Sequence, residues 1–384
     1  MMQTSLGMRQ PGRYLAQLES LRGWAILLVV AFHYVGILIG AGGLPETSPI
    51  WLRVAAAGNT GVTLFFVLSG FLLSLPFIQG LKDGQRIGMA NFYSARALRI
   101  LPLYYLAVLV AWLFSFNTGS ALKALLFIPI GFEIFPFSVP WWSLCTEIQF
   151  YLLLPWVMLG LHFRSSRWLV ILGGLLWLGL HFYFYSQPDW LASNKNSMLQ
   201  SSLFGRGGAF IVGGLCGWFY LSRGFEWLGK ARVRVFVVSL IALALLLALL
   251  QWYGLSGQKA ALRNMPFYHD LEAIVWGGLL LCSLHLKARI RWFFLNPLLS
   301  HFGTISYSLY LVHVPIQFYL IYPVKAGGGS GLLDPRLLAA VAASFLLSWL
   351  AAFLCYRFIE RPCLRLKSHL PVIAGRFRGD PARA

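Results

Sequence analysis

Charge is what this sequence has least of: Asp, Glu, Lys and Arg make up only 11% of its 384 residues, and just 12 are acidic. Too few ionisable groups are present to coat a water-soluble globule of this size. Cysteine is also sparse. Cys145, Cys216, Cys282, Cys355 and Cys363 show no paired spacing, and all but Cys363 fall in apolar runs, which excludes a disulfide framework and leaves small packing residues. Neither a CxxC nor an HExxH segment occurs, so no metal is expected. The polar stretches between apolar runs are all too short for a separate soluble domain.

What fills the chain instead is hydrophobic: 58% of residues, with a mean hydropathy of +0.70. This composition predicts an all-α polytopic membrane protein. Ten spans are read at 21–41, 58–79, 101–118, 143–162, 168–185, 204–221, 235–253, 268–286, 299–322 and 336–357. Segment 119–140 is apolar but broken by Pro129, Pro136 and Pro140, and reads as an outer or re-entrant piece. The formal charge of +19 suggests nucleic acid until its positions are considered. With both termini cytoplasmic, 23 of the 31 Lys and Arg residues fall on the inner side, counting those at helix ends. The surplus is therefore a topology signal and a contact for anionic lipid, with no nucleic-acid partner. The predicted organisation is a cytoplasmic lead (1–20), one transmembrane domain (21–363) and a basic cytoplasmic tail (364–384).

Ionisable groups inside the apolar runs carry the chemical information, because an uncompensated charge at a bilayer centre costs about 2.5–3.5 kcal/mol on insertion scales. Arg22 and His33 share one face of the first span, roughly 16 Å apart along the axis at 1.5 Å per residue. In the ninth span Ser306, Tyr310, His313 and Gln317 recur at spacings of 4, 3 and 4, a polar stripe suited to lining a cavity. Glu147 opens the fourth span beside Trp141 and Trp142, Arg206 opens the sixth, and His269, Asp270 and Glu272 open the eighth. Arg96 and Arg99, three apart before Pro102, have a spacing suited to gripping phosphates. Each has a plainer reading. His33 and His313 can be helix–helix hydrogen-bonding residues, Glu147 an interfacial carboxylate, and Arg96 and Arg99 topology-setting charge. His269, Asp270 and Glu272 read as solvated residues at a helix start. A set of intramembrane His, Glu and Arg groups also suits a proton-coupled transporter, or a translocator of a glycan or lipid intermediate.

Taken in order, the polar elements resemble the acyltransferase-3 family of bacterial membrane acyltransferases. The matching pieces are Arg22 with His33 (Arg-x10-His), Gly61 to Phe71 (GVTLFFVLSGF), Arg96 to Pro102 (RALRILP), Trp142 to Tyr151 (WSLCTEIQFY), Ile305 to His313 (ISYSLYLVH) and Glu360-Arg361-Pro362. They cover residues 20–363. The resemblance implies a multi-pass enzyme of the bacterial cytoplasmic membrane. It would move an acyl group, commonly acetyl from cytoplasmic acyl-CoA, onto hydroxyls of envelope carbohydrates or glycosylated metabolites. Some members carry an added periplasmic hydrolase domain, which this sequence does not contain.

On that resemblance His33 is the expected catalytic residue, as base or acyl carrier, with Glu147 and Arg22 beside it. Arg96, Arg99 and Arg22 are the expected grip on the phosphates of acyl-CoA. Arg206, His313, Tyr310 and Trp142 are expected to meet the carbohydrate acceptor.

Overall fold

The fold was read from a computed structural model, which describes residues 16–40, 42–84, 88–187, 190, 197–285, 292, 295–327 and 334–366. The expected lead is therefore seen only from residue 16 and the tail only to residue 366, and His369 lies outside the described residues. Every element described is helical. In chain order these are α1 (Ala16–Leu38), α2 (Ile50–Ala56), α3 (Thr60–Asp83), α4 (Met89–Ser115), α5 (Thr118–Leu125), α6 (Trp141–His162) and α7 (Arg164–Tyr185). There follow α8 (Ser197–Gln200), α9 (Leu203–Tyr220), α10 (Arg223–Lys230), α11 (Arg232–Ser256), α12 (Gln258–Asn264) and α13 (Tyr268–Ser283). The chain closes with α14 (Pro297–Thr304), α15 (Ser306–Ala326), α16 (Pro335–Cys355), a π-helical turn Tyr356–Glu360 and α17 (Arg361–Leu366).

The protein is a multi-pass membrane protein; helices occupy all ten expected spans, but fewer than ten are long and apolar enough to cross by themselves. Seven described helices are long and apolar enough to cross a bilayer, or eight if α14 and α15, bent by 76°, form one broken span. The difference lies at α9 and α13. Gly205, Gly207, Gly208, Gly213, Gly214, Gly217 and Arg206 dilute the hydropathy of α9, and α13 has only 16 residues. Both nevertheless pack inside the bundle, α9 along α3 and α13 against α11 and α9. Between residues 116 and 140 no crossing helix forms, only the eight-residue α5 and a run of turns.

Two close helix crossings set the frame. A Cβ on Gly70 of α3 would stand 2.2 Å from the Phe210 carbonyl oxygen of α9, and one on Gly213 would stand 2.1 Å from that of Val67. On α1 and α14 the same logic applies to Gly23, 2.0 Å from the Leu299 oxygen, and Gly303, 1.8 Å from the Glu19 oxygen. Only glycine allows such backbone contact, the usual device for joining helices where lipid offers no hydrophobic drive. Asn296 caps α14 by accepting the Leu299 N–H at 2.9 Å, and Pro297 sits at its first turn. The bend at Ile305 then aims α15 along α1.

The outward faces of α7 and α11 are exposed leucine and phenylalanine, such as Leu172, Leu176, Phe182, Ile241 and Leu245. In water such a surface would aggregate, and in a bilayer it is solvated by acyl chains. Polar side chains are turned inward, where α1, α3, α4, α6 and α15 meet.

Candidate active site

Two rungs tie α1 to α15. At one end Arg22 Nη2 donates to Ser306 Oγ at 3.2 Å, and Glu19 lies 3.7 Å from the same guanidinium. Eleven residues along α1, the His313 Nε2 and His33 Nδ1 atoms are 3.2 Å apart. Gln317 completes the stripe by donating to the Val30 carbonyl at 3.3 Å. The 4-3-4 spacing thus lays Ser306, Tyr310, His313 and Gln317 on one buried face.

The hydrogen bonds determine the histidine tautomers. His313 Nδ1 lies 2.9 Å from the Leu309 oxygen and His33 Nδ1 lies 2.9 Å from the Val29 oxygen, so each δ-nitrogen must carry the proton. His313 Nε2 is then a lone-pair acceptor shared into by His33 Nδ1–H. His33 Nε2 is left with a lone pair and no hydrogen-bond partner among the described residues.

A cavity of about 110 Å³ opens at the Arg22 rung. Arg22, Arg96 and Arg99 line it with Glu147, Ser69, Tyr151, Ser306 and Tyr307. Glu147 accepts from Ser69 Oγ at 2.7 Å and from the Tyr151 hydroxyl at 2.5 Å. Arg96 has its guanidinium carbon 6.0 Å from the Tyr151 ring centre, and its Nε has no hydrogen-bond partner among the described residues. Tyr307 donates to the Ile100 carbonyl at 2.7 Å. Behind this wall Ser308 Oγ donates to the buried Glu360 at 2.9 Å, which brings the last sequence element to the cavity's edge.

Tyr310, Ser143, Phe65 and Val62 also line the cavity. The Tyr310 hydroxyl donates to the Pro140 carbonyl at 2.8 Å and lies 2.5 Å from Ser143 Oγ. Its ring centre is 6.0 Å from that of His313. Neither His33 nor His313 lines the cavity.

Glu147 therefore keeps company with the arginines. No hydrogen bond joins it to His33, whose δ-nitrogen is held by Val29 and His313 instead. Arg206 and Trp142 pair with each other, the guanidinium carbon 5.4 Å from the ring centre, and neither lines the cavity. Phe66 stands between, lining the cavity and meeting the Trp142 ring edge-on at 6.3 Å.

The polar start of α13 differs from the expected solvated residues. Glu272 is fully buried and His269 nearly so. Glu272 Oε2 accepts from Thr63 Oγ1 at 2.6 Å and meets His269 Nδ1 at 3.3 Å. Trp276 donates to Thr60 at 2.7 Å, and Asp270 pairs with His181 at 3.2 Å. Nothing in the spacing of residues 60, 63, 181 and 272 signals that these groups meet, because three different helices, α3, α7 and α13, bring them together. Among the described residues no group of three or more His, Cys, Asp or Glu side chains is arranged to hold a metal.

Comparison with known proteins places this geometry. A family model described as an acyltransferase domain matches residues 15–357. The chain belongs to the acyltransferase-3 family. The exopolysaccharide production protein ExoZ of Rhizobium meliloti (strain 1021) is 29% identical over 339 residues, covering 83% of this chain and 93% of that relative. The O-acetyltransferase OatA of Staphylococcus aureus (strain NCTC 8325 / PS 47) is 26% identical over 381 residues, 91% of this chain. The peptidoglycan O-acetyltransferase OatA of Listeria monocytogenes (serovar 1/2a, strain EGD-e) is 25% identical, covering 92% of this chain. The chain spans a little over half the length of these OatA proteins, 57% and 56% respectively. No solved structure matches it. Family membership makes the cavity and the histidine pair parts of an acyltransferase.

Proposed function

We propose that this protein is an O-acyltransferase of the bacterial cytoplasmic membrane. It takes an acetyl group from cytoplasmic acyl-CoA and places it on a hydroxyl of an envelope polysaccharide or a glycosylated metabolite. The observation that carries this reading is the cavity in which three guanidinium groups from two helices gather below a histidine pair. Its lining holds Arg22, Arg96 and Arg99 against a single carboxylate, Glu147. A polyanion such as the phosphates of CoA is the ligand that such a set selects, because planar guanidinium forks match phosphate oxygens.

From the Arg22 rung the pantetheine arm would run along α15 towards His33, a climb of roughly 16 Å on the α1 axis. His33 Nε2 supplies the lone pair. As base, it removes the acceptor hydroxyl's proton while the oxygen attacks the thioester carbon. The C–S bond breaks, and the proton passes to the departing thiolate. As carrier, Nε2 attacks the thioester carbon itself and releases the thiolate; in a second step the acceptor oxygen attacks the acyl carbon, the C–N bond breaks to restore the neutral imidazole, and the hydroxyl's proton passes to the thiolate. His313 positions His33 by accepting from its Nδ1. Tyr310 belongs to the path of the arm. Arg206 and Trp142, which lie outside the donor cavity behind Phe66, suit the acceptor, offering a cation and a stacking face. Names of the relatives point the same way, one to exopolysaccharide production and two to O-acetyl transfer.

The test uses purified, folded protein and acetyl-CoA. Arg96→Gln and Arg99→Gln each remove charge-assisted contacts worth about 1.5–3 kcal/mol, so the KM for acetyl-CoA should rise about 10- to 100-fold. Free CoA should raise the thermal midpoint of the wild type and lose that effect in the double variant. An unchanged KM would reject the donor site, and CoA-independent solute counterflow in proteoliposomes would favour a transporter.

A further inference from the structure

The donor cavity and the histidine pair are close but not continuous, and one side chain accounts for the break. On α15, Tyr310 lies about 6 Å above Ser306 and about 4.5 Å below His313 at 1.5 Å per residue. The first of these residues holds Arg22 in the cavity and the second meets His33. Tyr310 is the residue between them on the same face. It lines the cavity, which His33 and His313 do not, beside Phe65, whose ring meets it edge-on at 6.4 Å. Its hydroxyl is tied to the start of α6 at two points, the Pro140 carbonyl and Ser143 Oγ.

We propose that Tyr310, latched to Ser143 and Pro140, is the partition between the donor cavity and the histidines, and that its displacement sets the size of acyl group delivered. The inference rests on the proposed donor reading and extends it to a specificity-determining residue. A thioester held by its phosphates near Arg22 reaches His33 only by moving this ring aside. The hydroxyl then trades its acceptor, the Pro140 carbonyl, and its donor, the Ser143 hydroxyl, for groups on the incoming arm, so the latch opens without stranding a buried polar group. The space released is that of one phenol ring against Phe65. A two-carbon acyl group passes such a gap far more readily than a six-carbon one. With the ring in place, water from the cavity is kept from the acylated or thioester-bound state, which suppresses hydrolysis.

The experiment compares acetyl-, butyryl- and hexanoyl-CoA by thiol release from wild type, Tyr310→Phe, Tyr310→Ala and Ser143→Ala, with crude envelope polysaccharide added or omitted. Tyr310→Ala should raise the ratio of hexanoyl to acetyl kcat/KM at least about tenfold. Tyr310→Phe and Ser143→Ala keep the ring but loosen the latch, so they should leave that ratio within about twofold and raise thiol release without acceptor. Stabilisation by free CoA is the control for each protein. If Tyr310→Ala still gains stability from CoA but keeps the wild-type chain-length ratio, the partition is overturned while the donor site stands. If free CoA fails to stabilise the wild type, it is the donor reading that fails. Should Tyr310→Ala not fold, Tyr310→Leu takes its place, and a wild-type ratio there together with wild-type leakage in Tyr310→Phe also overturns the proposal.

Discussion

Replacing His313 separates a residue that performs chemistry from one that only aims another. In the structure it meets His33 through a single 3.2 Å contact, and the proton in that contact is shared with the Val29 carbonyl at 2.9 Å. His313→Leu would remove one branch of a bifurcated bond, leaving His33 Nδ1–H still satisfied. A neutral hydrogen bond contributes about 0.5–1.5 kcal/mol, and half of a shared one sits at the lower end. At about 1.4 kcal/mol per tenfold, kcat should fall about two- to tenfold, with little change in the KM for acetyl-CoA. His33→Ala removes the unengaged Nε2 lone pair and should cost about 100-fold or more. Because His313 acts through His33, the double variant should be no slower than His33→Ala alone. The assay is acetyl transfer by proteins shown to fold by their stabilisation with CoA. A loss in His313→Leu as large as in His33→Ala, or losses that multiply in the double variant, would give His313 a chemical role of its own and refute this division of labour.

Three further outcomes follow from the packing. Gly303→Val places a side chain against the Glu19 carbonyl at the α1–α14 crossing, and overpacking of this kind costs about 1–3 kcal/mol; a wild-type thermal midpoint would show that the crossing yields freely. Glu272→Ala strands the Thr63 hydroxyl and His269 Nδ1–H, which should destabilise by about 2–4 kcal/mol, whereas Glu272→Gln should stay within about 1 kcal/mol. Equal losses in denaturant titrations of the two variants would contradict this. In the link between α5 and α6, Ser120 first and Lys123 second hold the Glu133 carboxyl below its ordinary range. A lowered folded value means the contribution to stability is present above the unfolded carboxylate value and is lost as pH falls through the folded one. The acid limb of the thermal midpoint against pH should therefore shift to higher pH in Ser120→Ala, and an unmoved limb would contradict the assignment.

How much of this was readable beforehand depends on distance along the chain. The helical membrane class follows from apolar composition, and the stripe on α15 from a spacing that any helix must obey. The Arg22–His33 spacing likewise anticipates two points of contact along one partner helix. The sequence also marks α9 and α13 as spans, and helices stand at both, although glycine lowers the hydropathy of the first and the second is short. Glu147 illustrates the other limit. It lies within four residues of Tyr151 but 78 residues from Ser69, and only the crossing of α3 and α6 brings that hydroxyl to its carboxylate. Polar residues at the start of α13 suggested solvent because nothing local records that Thr60 and Thr63 of another helix cover them.

The rungs between α1 and α15 act together as a caliper. Each jaw is a side-chain pair carried by two neighbouring helices, and α1 is pinned to α14 through Gly23 and Gly303. Neither jaw can slide without the other, so the gap between donor grip and imidazole is a property of helical rise and not of loop mobility. A single residue inserted into α1 between positions 22 and 33 would swing one jaw by about 100° while leaving the other seated. Between the jaws the sequence is still held at Gly23, by backbone contact with Leu299, and at Tyr310, by the bonds of its hydroxyl.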